Sequence, residues 1–130
     1  LMQVPWVQAI LPPGKRVGIV TISSTTLKSD HLKCAGVSLE TPIIGTEAGQ
    51  EFSRAILGNE MVLDIDRSRA DIITAGRTLC AQHPDIGALV LECTNMAPFA
   101  SDVSDALGMP VFDFYSLVTW FQAGLSPRRF

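Results

Sequence analysis

The run Val17-Gly18-Ile19-Val20-Thr21-Ile22 constrains the fold more than any other stretch of the chain. It is short, continuous rather than alternating, β-branched and free of charge, the pattern of a strand buried on both faces. Ile86-Gly87-Ala88-Leu89-Val90-Leu91-Glu92 repeats that pattern. Two weaker strands follow from Pro42-Ile43-Ile44, where the proline suits a strand start or an edge, and from Val111-Phe112-Asp113. Strands that need apolar cover on both sides call for helices on both sides.

Helical patterns fill the gaps between them. Residues 1–11 place Val4, Val7, Ile10 and Leu11 on one face, and Pro12-Pro13-Gly14 stops the pattern. Ser23-Ser24-Thr25-Thr26 offers N-caps for a helix over 27–35 that Gly36 ends. Thr46-Glu47 opens a stretch carrying Phe52, Ile56 and Leu57, broken at Gly58-Asn59. The longest helix is predicted over 64–83, with Ile65, Arg69, Ile72, Ile73, Gly76, Leu79 and Cys80 on its inner face and Pro84 beyond its end. A helix from Cys93-Thr94-Asn95 to Leu107 stops at Gly108, and a last one over 116–123 carries Leu117, Val118, Trp120 and Phe121. The alternation predicts an α/β fold: an open four-stranded parallel sheet with helices on both faces, Rossmann-like. The expected parts are a leading helix and turn (1–14), the α/β lobe (15–114), and a closing helix and tail (115–130).

Charge narrows the partners. Ten Lys and Arg against 13 Asp and Glu give a net charge of −3, with no basic stripe for nucleic acid or for an anionic membrane surface. The apolar runs are too short to span a bilayer. Three cysteines at unpatterned spacing fit a reducing, cytoplasmic setting better than a disulfide framework. The opening Leu1-Met2-Gln3-Val4-Pro5 has no signal-peptide pattern and starts within an apolar pattern, like a cut rather than a beginning.

In open parallel sheets, ligands bind outside the carboxyl ends of the strands. Those ends carry Ser23-Ser24-Thr25-Thr26, Thr46-Glu47, Cys93-Thr94-Asn95, and Asp113 with Tyr115. Hydroxyl, amide and thiol groups beside helix N-termini suit a small carboxylate or another anion. Cys93 is the sharpest candidate. A helix start can lower a thiol pKa, and the thiolate can then act as base or nucleophile. Glu92 opposes this by its charge, and no Lys or Arg occurs from Thr78 to Pro127 to help. The plainer reading makes Cys93 a buried structural residue, the Ser/Thr run a cap, and Tyr115 a packing residue with a wet hydroxyl. His31 with Cys34, and Cys80 with His83, have metal-ligand spacing, but nothing brings their helices together, so no metal is expected. No dinucleotide fingerprint, phosphate loop or nucleophile-elbow serine is present.

The segment Leu89-Val90-Leu91-Glu92-Cys93-Thr94-Asn95-Met96-Ala97-Pro98-Phe99 resembles the second cysteine motif of the aspartate/glutamate/hydantoin racemase superfamily. His83-Pro84-Asp85-Ile86-Gly87, Gly108-Met109-Pro110-Val111-Phe112-Asp113, Gln3-Val4-Pro5, Val17–Thr21 and Thr46-Glu47 fit the same pattern. The resemblance implies the second, C-terminal lobe of a two-lobe enzyme that uses no cofactor. Opposed cysteines, one per lobe, would move a proton at the α-carbon of a small carboxylate or amino acid. It implies Cys93 as the acid/base, with Thr94, Asn95, Ser24 and Thr25 as substrate-binding residues, and the other lobe and a homo-oligomer as partners. Only one such cysteine is here, because Cys34 and Cys80 fall within helical patterns, so this chain alone is expected to lack racemase activity. The last helix is expected to lack part of its burial, since the family packs it towards the first lobe. Two other readings remain open: a decarboxylase or isomerase acting on malonate- or maleate-like acids, and a non-catalytic anion-binding module.

Overall fold

The structure, a computed structural model, describes residues 1–129; Phe130, the last residue of the expected tail, lies outside them. Strands β1 (Arg16–Thr21), β2 (Ile43–Gly45), β3 (Ile86–Leu91) and β4 (Val111–Phe112) form one parallel sheet in the order β2-β1-β3-β4. The two apolar runs are therefore the central pair, where cover on both faces is needed, and the weaker strands are the edges.

Helices α1 (Val4–Ile10) and α2 (Ser29–Cys34) lie on one face, and α3 (Phe52–Leu57), α4 (Ile65–Gln82) and α5 (Ala100–Leu107) lie on the other. Alternation along the strands feeds both layers. Val17, Ile19, Ala88 and Val90 pack with Val4, Val7, Leu32 and Val37. Val20, Leu89 and Leu91 pack with Phe52, Ile72, Leu79, Met96, Phe99 and Val103. This is the open four-stranded α/β sheet that the strand and helix patterns predict.

Several boundaries differ from the sequence reading. α2 starts at Ser29, so 23–26 is a loop and none of its hydroxyls caps a helix. Thr46-Glu47 also lies in a loop, and α3 begins only at Phe52. After Cys93 the chain makes a 3₁₀ turn, Thr94–Phe99, before α5. Pro98 lacks the N–H a continuous α-helix would use there. Gly108 ends α5 at φ +64°, a left-handed conformation that suits a residue without Cβ. On α4, Ser68 is fully buried while Ile65 is half exposed, so the inner face is rotated from the expected one. Both Cys34 and Cys80 lie in helices, as expected; Cys80 packs against the core and Cys34 is exposed.

α6 (Phe114–Leu125) starts two residues earlier than expected, because Asp113 caps it by accepting from the Ser116 N–H at 2.7 Å. None of its residues is buried, and Trp120 is 62% exposed. Trp120 stands against Trp6 of α1, with the ring centroids 5.1 Å apart. No helix among the described residues is long and apolar enough to cross a membrane.

Candidate active site

Because β1 and β3 are neighbours, the loops after Thr21 and Leu91 emerge side by side at the carboxyl edge of the sheet. The Glu92 N–H donates to the Val20 carbonyl at 2.9 Å, extending the pairing by one residue. The buried Thr21 hydroxyl donates to Glu92 Oε2 at 2.8 Å, so this carboxylate is fixed beside the central strands.

Cys93 is the next residue along the chain. Its thiol is partly buried against the larger core cluster. Burial pushes the thiol above its ordinary value, the backbone N–H groups of Asn95 and Met96 pull it back in part, and the Glu92 charge pushes it further up. The lowering that a helix start can give is thus outweighed here by burial and by the Glu92 charge. Cys93 leads into a single 3₁₀ turn, whose few N–H dipoles are too weak to outweigh burial.

On the β1 side, Ser24 and Thr25 are exposed at the rim. Ser24 is already engaged, since its N–H donates to Glu47 Oε1 at 3.0 Å and its hydroxyl donates to the same oxygen. Burial raises the Glu47 carboxyl, but the Ser24 hydroxyl and the backbone N–H groups of Glu47 and Ser24 outweigh it, so Glu47 titrates below the usual carboxylate value. Thr25 pairs with the buried Ser23 hydroxyl at 3.0 Å. The Ser23–Thr26 loop and the Cys93 turn thus share one edge, but the Ser24 hydroxyl faces Glu47 rather than an open pocket.

Thr94 and Asn95 are exposed and line a cavity of about 300 Å³ with Ile56, Leu63, Ile65 and Arg69. Arg69 is held there by Asp102 at 2.9 Å and by Asp66. His31 and His83 are engaged locally, with the Lys28 N–H and with Arg16 respectively.

Two supports were not legible as site elements. Asp71 on α4 accepts from the N–H groups of Gln50, Glu51 and Phe52, which fixes the loop that carries Thr46 and Glu47. Buried Gln3 donates to the Asp113 carbonyl at 3.0 Å across 110 residues and ties α1 to the end of β4. Local sequence pattern carries no signal for either contact.

No known protein-family model matches the chain. Among solved structures, allantoin racemase from Pseudomonas fluorescens superposes with a TM-score of 0.64 at 16% identity, over 95% of this chain and 50% of that one. The fold is racemase-like. In sequence, the chain is 29% identical to a dimethylsulfoniopropionate lyase of Durusdinium sp. clade D over 136 aligned residues, covering 98% of this chain and 44% of the lyase. It is 32% identical to dimethylsulfoniopropionate lyase 5 of Emiliania huxleyi (strain CCMP1516) over 76 residues, covering 58% of this chain and 15% of that protein. The chain thus spans less than half the length of these curated relatives. All three are enzymes, and the lyases carry an activity different from racemisation.

Proposed function

We propose that this lobe forms one wall of a cofactor-independent carbon-acid site, with Cys93 as the group that exchanges a proton at the carbon α to a substrate carboxylate. The observation that carries the reading is a thiol just beyond the end of a central strand, half-buried on the rim of the core, where the chain enters a turn. Thr94, Asn95 and Thr25 supply the exposed donors around it, and Ser24 joins them once Glu47 releases it.

The lyase similarity, which runs along nearly the whole chain, favours β-elimination as the outcome. With dimethylsulfoniopropionate, the Cys93 thiolate would take the α-proton, and the released electron pair would form the α,β double bond. The β-carbon–sulfur bond would break, dimethyl sulfide would leave with that bond's electrons, and acrylate would remain. The proton then passes from Sγ to water. Aimed donors at the carboxylate lower the cost of the α-carbanion.

Racemisation is the second reading, favoured by the likeness of fold. It shares the first step but needs a second acid on the opposite face. Neither exposed Cys34 on α2 nor Cys80 on α4 stands at a strand end.

The test uses the complete polypeptide encoded in frame with these residues, beside the 130-residue chain. Dimethyl sulfide release is followed by headspace gas chromatography, and α-proton exchange in D₂O by NMR. We expect turnover from the complete polypeptide, none from the chain alone, and loss of turnover in Cys93→Ser with unchanged circular dichroism. Full turnover in Cys93→Ser would refute the assignment.

A further inference from the structure

Glu92 is the residue whose arrangement the proton-transfer step leaves unexplained. Its carboxylate is partly buried and oriented by the Thr21 hydroxyl, and its charge reaches the Cys93 thiol. Like Glu40, Glu47, Asp71, Asp105 and Asp113, it joins no ion pair among the described residues. The strand-end loops add no cation, since 21–26, 45–50 and 92–95 contain no Lys or Arg. A carboxylate held rigidly beside a reactive thiol disfavours the thiolate and repels an anionic substrate, unless a positive group arrives to meet it.

We infer that Glu92 is the specificity residue for a positively charged substituent, so that the site takes zwitterions bearing an onium group, sulfonium or ammonium, near their carboxylate. Plain dicarboxylates and uncharged carboxylates are then poor ligands. Docking of the cation neutralises Glu92 as seen from the sulfur, and Cys93 gains base strength only when the correct substrate is present. This inference rests on the carbon-acid reading above, and it adds the charge class that the site selects and the residue that reads it.

The test separates the two. In the complete polypeptide carrying Cys93→Ser, which removes turnover, calorimetry measures binding of dimethylsulfoniopropionate and of its neutral isostere 4-methylpentanoate. The zwitterion should bind about tenfold tighter or more, the scale of one partly screened charge pair. Glu92→Gln, which keeps an acceptor for Thr21, should bring the ratio close to one, and Glu92→Asp should restore part of it. If Glu92→Gln does not fold, the ratio in the Glu92 protein must fall steeply between low and high salt. A preference unchanged in Glu92→Gln, a ratio insensitive to salt, equal binding of the two ligands, or binding of neither would overturn the inference. Turnover without charge preference would sink this inference and leave the lyase reading standing. Charge preference without turnover would do the reverse.

Discussion

Asp71→Ala should be among the most damaging single changes outside the apolar core. Asp71 Oδ2 accepts from the Glu51 N–H at 2.7 Å and from the Phe52 N–H at 2.9 Å, and Oδ1 accepts from the Gln50 N–H at 3.1 Å. The first two bonds are partly buried and the third is exposed. Hydrogen bonds to a charged acceptor contribute about 1.5–3 kcal/mol each. Taking the two partly buried bonds at the low end and the exposed one as negligible gives a loss of about 3 kcal/mol. For a domain of this size that corresponds to a fall in Tm of about 10 °C. The damage should also reach the site. Phe52 is fully buried, and Ser53 Oγ donates to the Ile22 carbonyl at 2.7 Å and pairs with Thr46 Oγ1 at 2.8 Å, so the loop bearing Glu47 is anchored through this segment. Urea unfolding followed by circular dichroism measures the loss, and hydrogen exchange at residues 50–52 should rise. Asp71→Asn, with one acceptor oxygen, should lose about half as much. A loss below about 1 kcal/mol for Asp71→Ala, with an unchanged urea slope, would refute the reasoning.

Alkylation should order the thiols, with exposed Cys34 modified first and Cys93 reacting readily only on the alkaline side of the ordinary thiol value of 9.0. Mass spectrometry with iodoacetamide across pH reads this order, and Glu92→Gln should bring Cys93 forward to lower pH; fastest reaction at Cys93 in neutral solution would contradict it. The folded Cys93 pKa lies above the unfolded one, so its stabilising share is complete below the unfolded value and is lost as pH rises through the folded value. Alkaline unfolding of Cys93→Ser should lack that component. Glu47 has the opposite sign: its folded pKa lies below 4.5, so its share is present above that pH and lost as pH falls through the folded value. Glu47→Gln should therefore show a flatter stability profile on the acid side, by a small margin because the side chain is exposed. Gly18→Ala should cost about 1–3 kcal/mol in urea unfolding, because a Cβ there would stand 2.9 Å from Ile86 Cδ1 and Leu89 Cδ2 and 3.0 Å from Leu79 Cδ2.

The sheet, the alternation of elements and the edge that carries the candidate site were all legible in the sequence. Continuous apolar runs such as Val17–Ile22 can be satisfied only between two helical layers, and parallel strands put all their carboxyl ends on one side. Cys93 was legible for the same reason, as the polar residue just beyond a buried strand. Tertiary structure alone decided how the edge is wired. Whether Ser24 caps a helix or holds Glu47, and whether Asp71 gathers three N–H groups, depend on which atoms meet across 19 to 23 residues of chain, and whether Cys93 is pushed up or down depends first on how deeply the fold buries it. Hydrogen-bond partners and burial are properties of three-dimensional neighbours, whereas periodicity reports only the faces of single elements. The Thr21–Glu92 pair shows both sides of this: each residue is visible as a strand end, but only the register of β1 against β3 brings the hydroxyl to the carboxylate.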